Sequence, residues 1–74
     1  MLDLWRVRPG DNSSVIGERL RTIKLTPNWS TVAIQRGDET AVPTADDSIE
    51  SGDVVLVLGR SESEPELRKL FDAT

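Results

Sequence analysis

Gly52-Asp53-Val54-Val55-Leu56-Val57-Leu58-Gly59 is the stretch on which the fold of this chain turns. A continuous aliphatic run, opened by a Gly-Asp pair and closed by glycine, predicts a short strand. Its lack of polar alternation predicts a strand covered on both faces. In a chain of 74 residues, one such strand organises a single sheet and leaves no mass for a second domain. Residues 1–74 therefore read as one small domain.

Working outward, Ile49 is a lone aliphatic before the Gly52 turn and is expected to plug the end of the sheet. Residues 31–36 alternate, with Val32 and Ile34 on one face and Thr31, Ala33 and Gln35 on the other. Gly37-Asp38 fits a two-residue hairpin turn, residues 39–42 return as the partner strand, and Pro43 ends it. Residues 2–7 form a first strand, and Arg8-Pro9-Gly10-Asp11-Asn12-Ser13 supplies turn chemistry.

Ser13 or Ser14 can cap a helix whose apolar positions Ile16, Leu20 and Ile23 follow i, i+4, i+7, with Thr26-Pro27 as its stop. Gly17 inside that helix costs about 1 kcal/mol against alanine, which implies close packing there. Downstream, Ser63 and Glu66 form a capping-box pattern, and Pro65 is an equally good first helical residue. Leu67, Leu70 and Phe71 give this second helix its buried stripe. The expected fold is α+β in the order β-α-β-β-β-α, a mixed sheet with two helices packed on it. Val55, Val57, Leu20, Ile34 and Leu70 form its core.

Only 36% of the residues are hydrophobic, with one Phe, two Trp and no Tyr, so the core is thin. Small domains of this kind commonly gain stability from disulfides, a metal or a partner subunit. The absence of Cys removes disulfides, thiolate metal sites and thiol catalysis together. Histidine is absent too. Self-association is the remaining device, and a homodimer is expected.

The formal charge of −4 argues against nucleic acid as a partner, although Arg19, Arg21 and Lys24 could form a local anion site. No secretory apolar region opens the chain, and no apolar run approaches membrane-spanning length. The expectation is a soluble, cytoplasmic chain without direct membrane insertion.

No catalytic constellation emerges. A serine nucleophile lacks its usual base, and no S-x-x-K spacing exists. Asp46-Asp47 and the Glu62, Glu64, Glu66 set read as solvated charge, the latter suited to a helix start. Glycine-rich phosphate loops are missing at motif level. The Gly-Asp pairs at Gly10, Gly37 and Gly52 read as turns, and nothing draws their carboxylates into a metal site. The chain is not expected to be an enzyme or to carry a cofactor or metal. Residues 14–25 carry two readings: a plain amphipathic helix, or a helix entry where Val15 and Ile16, with Arg19 and Arg21 one turn on, seat a ligand with a flat apolar part and an anionic group.

Ser14-x-Ile16-Gly17-x-x-Leu20-x-x-Ile23-x-Leu25, then Val32-Ala33-Ile34-x-Arg36-Gly37, then Pro43, then Ile49-x-x-Gly52-Asp53-Val54-x-x-Val57-x-Gly59 together resemble the RCK C-terminal domain, also called the TrkA C-terminal domain. The resemblance spans residues 2–71; Trp5 and a longer loop over residues 9–14 depart from it. It implies a small α+β module on regulators of potassium channels and transporters that dimerises and binds a regulatory ligand across the dimer interface. Such a module reaches a membrane transporter or channel subunit through a companion domain. Some family members bind cyclic di-AMP and others have no known ligand, so the resemblance allows, without requiring, a small anionic effector such as cyclic di-AMP or another nucleotide. The matching positions for its contacts are Val15, Ile16, Arg21, Pro27 and Asn28. The alternative is a purely structural dimerisation domain with no ligand.

Overall fold

The computed structural model describes residues 1–23 and 28–73. Among these residues, strand β1 covers Leu2–Val7, β2 Trp29–Arg36, β3 Glu39–Ala41 and β4 Val54–Arg60, and one α-helix, α1, covers Glu64–Leu70. They form one four-stranded sheet in the order β1-β4-β2-β3. The aliphatic run is therefore a central strand, as its composition predicts.

All three strand pairings are antiparallel, so the sheet is not the expected mixed one. The reason is topological. β1 and β2 run the same way, but β4 lies between them and pairs with both, so no parallel neighbours arise. The hairpin reading holds: Arg36 sits opposite Glu39, and Gly37 takes φ 59°, a conformation open to glycine without steric cost.

The alternation read into residues 31–36 fails at one point. A register shift between Thr31 and Ala33 turns Val32 outward to 37% exposure while Ile34 is buried at 6%. An extra residue in one strand carries its neighbours to opposite faces, which strict period-2 counting cannot anticipate.

The core lies on one side of the sheet. Trp5 and Val7 of β1, Trp29 and Ile34 of β2 and Val55 and Val57 of β4 meet Leu67 and Phe71 from the C-terminal segment, together with Val15, Leu20, Ile23 and Ile49 from the connecting segments. Four of the five expected core residues are buried, and Leu70 is half-buried against the cluster. Ile49 is fully enclosed, in keeping with its expected role as a plug. The opposite face is open: Leu58 is exposed, so β4 is covered on one face and not on both.

The first helix is replaced by something else. Residues 11–17 form turns, and a single 3-10 turn spans Leu20–Thr22. Gly17 takes φ 85°, outside the helical region. Backbone groups that would bond within a helix bond across space instead. Gly17 N–H donates to the Ile49 carbonyl at 2.7 Å, Leu20 N–H to Asp47 at 2.9 Å and Arg21 N–H to Ala45 at 3.0 Å. The Ile49 N–H returns to the Glu18 carbonyl at 3.1 Å. Residues 17–21 thus lie antiparallel to residues 45–49, and Ile16, Leu20 and Ile23 pack inward without helical periodicity. The expected stop at Thr26-Pro27 lies outside the described residues.

The C-terminal helix forms where expected, but not through a capping box. Ser63 makes no side-chain cap bond and Pro65 occupies the first turn, where its missing N–H costs nothing. A 3-10 turn over Ser61–Ser63 leads into it, and Arg68 bonds Glu64 one turn back at 2.8 Å.

Candidate functional site

Polar chemistry concentrates where residues 44–50 cross the end of the sheet. Its anchor is Asp53, the first residue after the Gly52 turn and 1% exposed. Burying a carboxylate requires compensation, and Asp53 has it from two directions. Arg36, at the end of β2, donates Nε–H to Oδ1 at 2.9 Å and Nη2–H to Oδ2 at 2.8 Å, a bidentate fork. The Glu50 backbone N–H donates to Oδ2 at 2.9 Å.

The Arg36 bonds hold the Asp53 carboxyl below the usual carboxylate range, against the upward push of burial and with further help from the Glu50 N–H. The same bonds, with the nearby charges of Asp53, Glu50 and Asp47, raise the Arg36 guanidinium still further above its ordinary value. Arg36 also pairs with Glu50 at 2.7 Å and donates to the Ser48 carbonyl at 3.0 Å. One arginine therefore ties β2 to the start of β4 and to the crossing loop.

Two shallow clefts flank that loop, with Pro43 at their common edge. The first, of about 220 Å³, is lined by Arg36, Glu39, Asp47 and Ser48 with Ile34, Ala41 and Pro43. The second, of about 210 Å³, is lined by Leu20, Arg21, Ser30, Thr31 and residues 43–45. A third, of about 250 Å³, lies between Val15, Ile23 and Leu70 with Ser14, Glu18 and Thr22 at its rim.

The candidate ligand residues are distributed among these features. Val15 is buried and lines the third cleft, while Ile16 packs half-buried against the core. Arg21 lines the second cleft, where it forms an ion pair with Asp46. Asn28 is half-buried, and its carbonyl accepts the Arg60 N–H at 2.9 Å. Pro27 lies outside the described residues. Val15 and Ile16 are chain neighbours, but within one chain Val15 and Arg21 face different clefts.

Sequence reasoning missed the Arg36–Asp53 pair. The Gly52-Asp53 dipeptide reads as a turn, and Asp53 does bond the local Glu50 backbone. Its arginine lies seventeen positions upstream, and no local spacing points to it. Among the described residues no group of three or more carboxylates is placed to hold a metal ion, and no helix is long and apolar enough to cross a membrane.

The sequence pattern of the TrkA-C domain matches residues 4–72. Two curated relatives, the Trk system potassium uptake protein TrkA of Mycobacterium tuberculosis strain CDC 1551 / Oshkosh and that of strain ATCC 25618 / H37Rv, are each 37% identical over 61 residues. The aligned region takes in 82% of this chain but 28% of each relative. The chain thus spans well under a third of the length of the relatives it matches.

Proposed function

The chain belongs to the TrkA-C domain family, and from that premise we propose that it is a regulatory module of potassium transport that acts by binding and not by catalysis. The observation that carries this reading is the pattern match over residues 4–72, supported by the likeness to proteins named for potassium uptake. The residue inventory agrees, since a chain without His or Cys lacks the commonest acid–base and nucleophilic groups.

The module works as a two-fold homodimer on the cytoplasmic face of a membrane transporter or channel, reached through a companion domain. At the dimer interface it reads a small anionic effector such as cyclic di-AMP. The apolar walls come from Val15 and Ile16, the charge-assisted bond from Arg21, and the edge from Pro27 and Asn28. Val15 and Arg21 line different clefts of one chain, which favours a pocket completed by both copies.

One observation favours the second reading, a structural dimerisation domain with no ligand: the Arg21 charge already has a partner in Asp46. Calorimetric titration with cyclic di-AMP, alongside sedimentation, separates the two. The effector reading expects saturable binding with one ligand per dimer and a stabilisation of about 2.7 kcal/mol at 100 times Kd. A dimer that binds neither cyclic di-AMP nor another nucleotide sinks the effector and leaves the structural domain.

A further inference from the structure

The core occupies one side of the sheet, and none of the described residues packs over the other. By register and alternation, that open face carries Leu2, Leu4 and Arg6 of β1, Val54, Leu56, Leu58 and Arg60 of β4, and Ser30, Ala33 and Gln35 of β2. Leu2 is 64% exposed, Leu4 59% and Leu58 39%. Leu4 lies opposite Leu58, and Arg6 opposite Leu56, so the leucines form one stripe along β1 and β4. The bulge adds Val32 to the outward residues.

The charge on this face is one-sided. The chain has 13 acidic residues against 9 basic ones, yet the strand positions of the open face hold no carboxylate. Their only charges are Arg60, opposite Leu2, and Arg6, opposite Leu56. Arg6 donates to the neutral Gln35 side chain at 3.0 Å. None of the ion pairs among the described residues uses either arginine. A second copy laid face to face here would add a further set of arginines and no acid, a like-charge arrangement that opposes docking.

We propose that the open face is a docking surface for an acidic amphipathic helix presented by a partner protein. The leucine stripe takes the partner's apolar face, and Arg6 and Arg60 take its flanking carboxylates. Helix on sheet is a standard way to bury an apolar sheet face. The stripe is roughly 20 Å long at about 3.3 Å per strand residue, which matches about 13 residues of helix at 1.5 Å each. This inference does not depend on the potassium reading.

The test titrates two synthetic helical peptides of about 15 residues into the isotopically labelled full chain and follows backbone amide resonances. Both peptides carry the same leucine stripe; one is flanked by Glu, the other by Lys. The Glu peptide is expected to move the resonances of Leu4, Val32, Leu56 and Leu58 and to bind at least about 10-fold more tightly than the Lys peptide. Its advantage should shrink as salt rises. The surface double variant Arg6→Glu/Arg60→Glu, folded by the dispersion of the same spectra, should invert the preference. Equal binding of the two peptides, or the absence of shifts on this face, overturns the proposal. A dimer in sedimentation that Leu58→Glu dissociates also overturns it, because the face then belongs to a second copy; a dimer that survives Leu58→Glu supports it.

Discussion

Arg36–Asp53 and Arg21–Asp46 are the same chemical pair in two settings, and the setting decides what each contributes. In the first, the carboxylate is 1% exposed, takes three hydrogen bonds and joins β2, β4 and the crossing loop. In the second, the side chains are 56% and 65% exposed, so water screens the attraction and both groups remain solvated without each other. A buried carboxylate that loses its partner keeps its desolvation cost, whereas an exposed one recovers its hydration. The first pair is thus part of the fold, and the second is a charged surface able to exchange partners.

The sharpest way to break this contrast is Arg36→Ala. Removing the fork leaves Asp53 buried with a single N–H donor, and the expected loss is about 2–4 kcal/mol, read by urea denaturation. A loss under about 1 kcal/mol would show that Asp53 reaches water without Arg36 and that the two pairs differ little. Acid supplies a second, milder route. Because the folded Asp53 carboxyl is held below its ordinary range, its contribution is fully present above the unfolded carboxylate value of about 3.9. It is lost as pH falls through the lower, folded value. Unfolding free energy should therefore decline on acidification below roughly pH 4, with a shallower decline in Asp53→Asn. Equal slopes in the two proteins would remove Asp53 from the acid response.

Both pairs depend on the crossing loop, and that loop was the part the sequence concealed. Local signals identified all four strands, the Gly37 hairpin, the buried Ile49 and the second helix, because each is written in consecutive residues. The spacing of Ile16, Leu20 and Ile23 suits a helix, but it also suits a looped segment held by partners about 30 positions away. Periodicity records which residues face inward; it does not record which backbone groups find distant partners. The Val32 bulge and the reach of Arg36 to Asp53 were hidden for the same reason. Of the candidate ligand residues, the sequence named plausible chemistry, but their division between clefts is set by this long-range pairing.

Gly17 tests that pairing directly. At φ 85° no atom of the described residues beyond the two chain neighbours lies within 4 Å of an added Cβ, so Gly17→Ala probes backbone strain without a tertiary clash. The expected cost is about 1–2 kcal/mol, measured by thermal or chemical unfolding. A neutral or stabilising result would mean that residues 14–25 gain as a helix what they lose against residues 45–49. The first reading of this segment would then regain its standing.

The smallest expected effect on stability, and the most informative one for function, belongs to Arg21→Ala. Its ion pair with Asp46 is exposed on both sides, and such pairs contribute about 0–1 kcal/mol. Unfolding free energy should therefore change by no more than about 0.5 kcal/mol, against the much larger loss at Arg36. Effector binding should respond far more strongly. An anionic ligand that displaces Asp46 from the guanidinium gains a charge-assisted hydrogen bond, and its loss weakens binding by about 1.5–3 kcal/mol, roughly ten-fold to more than a hundred-fold in Kd. Asp46→Ala should act in the opposite direction, because it releases Arg21 and removes a competing negative charge. The pair of variants makes the reading specific: tighter anion binding in one, weaker in the other, and near-native folding in both. If cyclic di-AMP binds and neither variant changes its affinity, Arg21 is only a solvated surface charge and the effector contacts lie elsewhere.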